Sequence, residues 1–216
     1  MTNIFVINLK ESTDRWEKFK GKNVIRWEAT NIDDIFYDLD LQEKMISYWN
    51  VRYTKFHFTK CACLSSHLKL WKYIIDNKIN DVLILEDDAV GNLDIDTSYF
   101  AQDGITYLGG FLLDSKNIEK KIKPTFETGY HKLDEKKYRM IQCMSYYFPT
   151  WKIAEKLYNE IINLKRYRAI DILITKIDIP KYFVYPAVFT EERVESTINN
   201  NGKKKGYSNK YYHYVS

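Results

Sequence analysis

The chain has 216 residues, 45% of them hydrophobic and 29% charged, with a formal net charge of +4. This is the composition of an ordinary globular protein with a sizeable core, and the charge is too mild to indicate a nucleic-acid binder. No apolar stretch approaches the roughly 18 residues of a membrane span, and the N-terminus lacks the basic region of a signal peptide. We therefore expect a cytoplasmic protein without a transmembrane segment. A peripheral position at a membrane is the alternative.

The first half of the chain alternates predicted strands and helices. Strands are predicted at 4–9, 24–28 and 81–85, and helices at 12–20, 38–49 and 60–76. In the helix at 60–76, apolar residues recur at spacings of four, three and four from Leu64 to Ile75, which places them on one side. Such alternation is typical of an α/β domain.

The second half continues with strands at 105–108, 140–148 and 182–188 and helices at 151–164 and 169–176. Gly109 and Gly110 follow the first of these strands, where backbone can approach a ligand closely or simply turn. Residues 114–139 are rich in Lys and Glu and predict a mobile excursion or hairpin. Pro186 predicts an edge or terminal position for the last strand. The prediction is one domain at 1–198 and a flexible basic, tyrosine-rich tail at 199–216.

An acidic motif follows the strand at 81–85. Four apolar residues lead straight into Glu86, Asp87 and Asp88, which is typical of a buried strand that ends in a cluster of negative charge. If the chain stays extended, Glu86 and Asp88 point the same way, and such a pair suits Mg²⁺ or Mn²⁺ bound to phosphate oxygens. The alternative is an acidic strand-to-loop junction exposed to water.

Three cysteines, an odd number, are interpreted as reduced thiols of an intracellular protein. Cys61 and Cys63 form a Cys-x-Cys pair, which lacks the two-residue spacer of zinc knuckles.

Four segments of the chain, in the right order, resemble glycosyltransferase family 25, which includes bacterial lipooligosaccharide and collagen galactosyltransferases. They are residues 5–9 (FVINL) with 12–15 (STDR), 62–67 (ACLSSH) with Trp71, 83–89 (LILEDDA), and 154–157 (AEKL) with 170–173 (IDIL). Ala62 and Ser65 depart from the usual residues, and the chain is short for the family, so acceptor-binding loops could be trimmed or rebuilt.

The resemblance implies a GT-A type fold, in which a Rossmann-like, mostly parallel sheet flanked by helices binds a nucleotide sugar. It also implies an inverting transfer of a hexose, from UDP-galactose or UDP-glucose, to a hydroxyl of a glycan or glycolipid in lipopolysaccharide biosynthesis. The implied metal is Mn²⁺ or Mg²⁺, held by Glu86 and Asp88. Asp87 would hold the ribose or a second metal position.

Further candidate residues lie on the other segments. Asn8 and Arg15 flank the first strand-to-helix loop, where Arg15 either pairs with a diphosphate or braces the loop through an acidic neighbour. Ser66 and His67 are candidate donor-binding residues, although His67 also fits a satisfied, half-buried histidine.

Asp171 is the candidate general base, with a helix N-cap as the competing interpretation. Glu191 and Glu192 come next, as adjacent acids expected to be solvated.

Two other functions compete with the transferase. One is an inactive nucleotide-sugar or carbohydrate-binding module, against which the intact acidic motif argues. The other is a nucleic-acid protein that uses the lysines and tyrosines of the tail. Alternatively, the tail is a solubilising segment, or a lid that folds over the diphosphate and places His213 on the metal. We expect no nucleic-acid partner. The sequence does not indicate the oligomeric state.

Overall fold

The computed structural model of the chain describes residues 2–35, 38–45, 55–98, 100–116, 126–141 and 145–191. The predicted tail at 199–216, Glu192, Cys143 and the predicted helix beyond residue 45 lie outside this described part. None of the described helices combines the length and apolar character that a membrane crossing requires.

Every strand and helix predicted from the sequence has a counterpart. The described strands are β1 (Asn3–Asn8), β2 (Ile25–Glu28), β3 (Val82–Glu86), β4 (Ala89–Gly91), β5 (Ile105–Tyr107), β6 (Phe111–Asp114), β7 (Gly129–Lys132), β8 (Tyr138–Ile141), β9 (Ser145–Phe148), β10 (Lys181–Tyr185) and β11 (Phe189–Glu191). The described helices are α1 (Thr13–Trp16), α2 (Ile32–Ile35), α3 (Leu39–Lys44), α4 (Lys55–Asp76), α5 (Trp151–Ile162) and α6 (Ile170–Ile174), and a 3₁₀ turn at Glu17–Phe19 follows α1.

The central sheet has seven strands in the order β2-β1-β3-β9-β5-β10-β7. Strands β2, β1 and β3 pair in parallel, as do β5 and β10, while β9 runs antiparallel between β3 and β5. Strand β7 is antiparallel to β10 at the far edge. Five strands therefore share one direction, which confirms the mostly parallel α/β sheet flanked by helices.

Both faces of the sheet are covered, which explains the continuous apolar runs of its central strands. On β3, Val82 and Ile84 point into the larger core cluster, which contains buried residues of α4, α5 and α6. Leu83 and Leu85 point into a smaller cluster on the opposite face, which includes Phe19 of the 3₁₀ turn. Alternation along the strand thus divides its side chains between two cores.

The sheet brings several chain segments to one edge. The carboxyl ends of β1, β2 and β3 lie together there because these strands are parallel and in register. Strand β9 starts at the same edge, since Ser145 pairs with Leu85, the neighbour of Glu86. In open α/β sheets ligands collect outside such carboxyl ends.

Two predicted strands differ from the structure. The segment at 140–148 contributes to two strands, β8 and β9, rather than one, and β8 pairs with β6 outside the central sheet. Strand β10 is interior, between β5 and β7, so its predicted edge position is wrong. Pro186 is tolerated because the strand ends at Tyr185 and the missing N–H takes no place in the ladder.

Candidate active site

An acidic cleft of about 300 Å³ opens at the sheet edge where β1, β2 and β3 end. It is bounded by the loops after β1 and β2, by one face of α4 and by the end of β3. The residues predicted from the sequence that line it are Arg15, Ser66, His67, Glu86, Asp87 and Asp88. Asn8 lies beside it, bonded to one of these carboxylates. Asp171 is not among the residues that line the cleft.

Asp87 is held by two residues of the first strand–helix unit. Its Oδ1 forms an ion pair with Nη1 of Arg15 at 2.9 Å, and its Oδ2 accepts a hydrogen bond from Nδ2 of Asn8 at 2.7 Å. Burial lowers the pKa of Arg15, but the hydrogen bond and charge of Asp87, together with the charges of Asp88 and Asp14, outweigh it, so the pKa lies above its ordinary value. The structure thus shows Arg15 as a loop brace, and its pairing with a diphosphate stays a prediction.

Arg26 of β2 was missed by the sequence reasoning and completes this brace. Its Nε and Nη2 donate to Oδ1 of Asn8 at 2.9 and 2.5 Å. Nη2 also donates to the carbonyls of Leu9 and Lys10, both at 3.1 Å. The sequence shows only that Arg26 is a cation inside a short predicted strand, and this does not indicate that it binds Asn8. Arg26 fixes the loop after β1 and the amide that holds Asp87.

Asp88 carries an orphaned polar atom at the base of the cleft. Its Oδ1 is buried and has no hydrogen-bond partner within the described part of the chain. Burial, followed by the negative charges of Glu86, Glu191 and Asp87, raises the pKa of Asp88 to about 7, and Arg15 opposes this only in part. An unpartnered buried carboxylate oxygen among other carboxylates is the environment that a divalent cation satisfies, so the oxygen-rich donor set fits Mg²⁺ or Mn²⁺.

Glu86 and Asp88 line the same cleft although the chain does not stay extended. The strand ends at Glu86, and the next two residues form a turn. The charge of Glu86 nevertheless acts on Asp88, and both line the same cleft as Asp87. The side chain of Glu86 is one-third exposed, at 33%. Glu86 is therefore open to solvent, whereas Oδ1 of Asp88 is buried.

Glu191 joins the acidic group from a strand that the sequence did not reveal. It is the last residue of β11, which pairs with β4 so that Glu191 lies opposite Ala89. Burial and the charge of Glu86 raise the pKa of Glu191 above its ordinary value. The expectation of a solvated loop acid is therefore wrong for Glu191, because β11 packs it against the turn that carries Asp88.

His67 is fully buried, with 1% exposure, rather than half-buried as predicted. Its Nδ1 lies 2.6 Å from the hydroxyl of Tyr146, which also accepts a hydrogen bond from Nε1 of Trp71 at 3.0 Å. Its Nε2 faces Oε1 of Glu86 at 3.5 Å. Trp71 is a core residue, as the sequence predicted, with 0% exposure. Through Tyr146 it fixes the orientation of the imidazole toward the cleft.

Ser66 is engaged with backbone on both sides. Its hydroxyl donates to the carbonyl of Ala62 at 2.7 Å and accepts from the backbone N–H of Thr30 at 2.8 Å. The neighbouring Ser65 accepts from the hydroxyl of Thr30 at 3.2 Å. These bonds tie the loop after β2 to α4, so Ser66 shapes the cleft wall. Direct donor binding by Ser66 stays a prediction.

Cys63 was not predicted as a site residue, yet it lines the cleft one helical turn before His67. Its Sγ, a ring nitrogen of His67 and a carboxylate oxygen of Glu86 all lie within 4.8 Å of one another. Cys61 and Cys63 are both free thiols. Burial, followed by the charges of Glu86, Asp171 and Asp88, raises the pKa of Cys63. The sequence signal was Cys-x₃-His within a helix, which places both side chains on one face.

Asp171 lies in the first turn of α6, whose N-cap is Ala169, so the N-cap interpretation is wrong. Its Oδ1 accepts a hydrogen bond from the backbone N–H of Ile172 at 2.8 Å. Its charge acts on Cys63, and it opposes the lowering of the pKa of Lys60 by burial. Asp171 is therefore an acidic neighbour of α4 outside the residues that line the cleft.

The fold and the cleft define an α/β protein with an acidic, cation-compatible site at the carboxyl edge of its sheet. The family model described as glycosyltransferase family 25 (LPS biosynthesis protein) matches residues 1–174, and the chain belongs to this family. It is therefore a glycosyltransferase, which acts on a sugar donor and a glycan or lipid acceptor. A comparison with curated proteins returned no match. The matched segment includes Asn8 through Asp171, whereas Glu191 lies beyond it.

Proposed function

We propose that the protein is a metal-dependent, inverting glycosyltransferase that moves a hexose from UDP-galactose or UDP-glucose to a hydroxyl of a glycan or glycolipid. The observation that carries this proposal is the group of carboxylates around Asp88, whose Oδ1 is buried without a hydrogen-bond partner in the described residues. Membership of a family described as LPS biosynthesis protein supports a lipopolysaccharide precursor as the acceptor.

Glu86 and Asp88 are the proposed ligands of Mn²⁺ or Mg²⁺. When bound, the ion would neutralise negative charge on the departing diphosphate. Asp87 keeps Arg15 and Asn8 in place at 2.9 and 2.7 Å, and we propose that this brace positions the loop that receives the nucleotide. Tyr146 orients His67 so that its Nε2 lies beside Glu86. His67 is a candidate hydrogen-bond donor to a phosphate or to a sugar hydroxyl.

The general base of an inverting transfer must reach the acceptor hydroxyl. Asp171 was the first candidate from the sequence, and it does not line the acidic cleft. Glu191 does not line the cleft either, but its charge acts on Asp88, whereas no effect of Asp171 on Asp88 is found. Burial and the charge of Glu86 also raise the pKa of Glu191, which makes it a better proton acceptor near neutral pH. We therefore propose Glu191 as the leading candidate and retain Asp171 as the alternative.

Donor binding tests the class of function most directly. A panel of nucleotide sugars is screened by thermal unfolding with and without Mn²⁺, because a ligand at about 100 times its Kd stabilises the native state by about 2.7 kcal/mol. One donor should raise the unfolding temperature, and more so with Mn²⁺. An inactive binding module would show the same shift without donor hydrolysis or transfer.

Two variants test the acidic group itself. Glu86→Gln and Asp88→Asn should each lower donor hydrolysis and transfer by more than about 100-fold, because an electrostatic contact to the leaving group is lost. Glu160→Gln, on the exposed face of α5, is the matched control and should leave both rates unchanged. Unchanged rates in both cleft variants would contradict the proposal.

A further inference from the structure

A mixed set of sulfur, nitrogen and oxygen ligands lies on one side of the acidic cleft. Cys63 and His67 are four residues apart on α4, and Glu86 reaches them from the end of β3. Their potential ligand atoms all lie within 4.8 Å of one another. Asp88 is not a member of this group, so the group differs from the carboxylate pair proposed above.

The imidazole is held in the orientation that a metal ligand requires. Nδ1 of His67 contacts the hydroxyl of Tyr146 at 2.6 Å, which leaves Nε2 as the nitrogen that faces Glu86. The Tyr146 hydroxyl is itself fixed by the N–H of Trp71, and all three rings are almost completely buried. Metal-binding histidines are oriented by a partner on their second nitrogen in this way.

The separation of one nitrogen of His67 and one oxygen of Glu86 fits a small tetrahedral ion. Nε2 of His67 and Oε1 of Glu86 are 3.5 Å apart, which is longer than an ordinary N–H···O hydrogen bond. Zinc bonds of about 2.0–2.3 Å at tetrahedral angles place ligand atoms about 3.3–3.8 Å apart. The imidazole and carboxylate therefore already have the spacing of two zinc ligands.

The charge around these three residues favours a cation. The negative charges of Asp88 and Asp171 act on Cys63. The negative charge of Glu86 acts on both Asp88 and Glu191. Arg15, the cation that lines the cleft, is paired with Asp87. A divalent ion would offset this concentration of negative charge.

We propose that Cys63, His67 and Glu86 form a binding site for a borderline-soft divalent ion of the Zn²⁺ class, with a fourth position open to the cleft. Thiolate and imidazole ligands select such ions over Mg²⁺ and Mn²⁺, which prefer oxygen. Glu86 belongs to both ligand sets, so Zn²⁺ in this site inhibits any transfer that depends on an ion at Glu86 and Asp88. The binding itself does not depend on the proposed transfer reaction.

Cobalt is the probe, because Co²⁺ substitutes for Zn²⁺ and a thiolate–cobalt bond gives a charge-transfer absorption band. Titration of the full-length, chelator-treated protein with Co²⁺ should produce this band at one equivalent, and Zn²⁺ should displace it. Cys63→Ser and Cys63→Ala should both lose the band, and Cys61→Ala, on the same helix, should keep it. Circular dichroism of each variant checks that it folds.

Tyr146→Phe tests the orienting bond separately. It should weaken Co²⁺ binding by about 10–100-fold while the band retains its shape, because the thiolate ligand stays in place. Co²⁺ binding without the band, a band that survives in folded Cys63→Ala, or no binding of Co²⁺ or Zn²⁺ at all would overturn the site. None of these measurements uses a donor sugar, so they test the metal site even if the protein shows no transferase activity.

Discussion

At the scale of single residues, Asp88 makes the stability of the metal-free protein depend on pH. Burial and neighbouring carboxylates raise its pKa to about 7 in the folded state, against about 3.9 for an unfolded aspartate. Between these values the folded protein keeps a proton that the unfolded chain has released. The free energy of unfolding therefore falls as the pH rises from about 4 to about 7, by up to about 1.4 kcal/mol per pH unit for this group.

Asp88→Asn removes this ionisation and should stabilise the chelator-treated protein more at pH 8 than at pH 4. Urea unfolding at the two pH values measures the difference in the free energy of unfolding. Glu160→Gln is the control, since this side chain is exposed on α5. An equal gain at both pH values would mean that Asp88 does not carry the pH dependence.

Glu191 and Asp171 are distinguished by their effects on turnover. Glu191→Gln should lower kcat for transfer by about 10²–10⁴-fold, the usual contribution of a general base, and leave donor binding intact. Asp171→Asn should change kcat far less, because the charge of Glu191 acts on Asp88 and that of Asp171 is not among the charges that do. The opposite order of the two effects would restore Asp171 as the base.

At the scale of elements, the position of β11 depends on close contacts with glycines. A Cβ at Gly109 would lie 2.6 Å from Oγ of Ser145 and 2.7 Å from the carbonyl oxygen of Phe189. A Cβ at Gly91 would lie 2.3 Å from the carbonyl oxygen of Val188. The backbone that approaches Gly109 closely is thus that of β11, and this packing lets β11 place Glu191 opposite Ala89, beside the turn that carries Asp88.

Gly109→Ala should displace β11 and cost about 1–3 kcal/mol of stability, the usual range for overpacking. Transfer should fall more than this loss of folded protein explains, because Glu191 moves with the strand. The unfolding free energy and kcat of the same preparation are compared. Gly21→Ala provides a control for backbone strain without a clash, since Gly21 has φ +74° and open space at its Cβ.

At the scale of the whole molecule, the last strand of the central sheet in the described residues ends at Tyr185, and the predicted tail at 199–216 comes later in the chain. A variant that ends at residue 198 should keep the unfolding free energy of the full chain within about 0.5 kcal/mol, because the composition of the tail predicts a flexible segment outside the core. Donor affinity is measured alongside. Loss of donor affinity at unchanged stability would favour the lid interpretation of the tail.

The sequence predicted the α/β architecture because long buried strands and helices repeat their apolar residues at recognisable periods. It did not reveal β4, β6 and β11, which pair outside the central sheet with partners distant in the chain. It gave β7 only as part of a predicted mobile excursion or hairpin. It placed the acidic motif at a strand end, and the structure does so as well.

The partners within the site could not be predicted. Asn8 and Asp87 are 79 positions apart, as are His67 and Tyr146. Nothing local in a sequence specifies such pairs, because they arise only when strands order themselves across the sheet. The same reason explains why Glu191, distant in the chain from Glu86, was expected to be solvated.

The bond from the Trp71 indole to Tyr146 connects the protein core with the ring that orients His67. Tryptophan emission responds to the polarisation of such a hydrogen bond. The fluorescence of Trp71 should therefore report, without any added label, whether the cleft is vacant or filled.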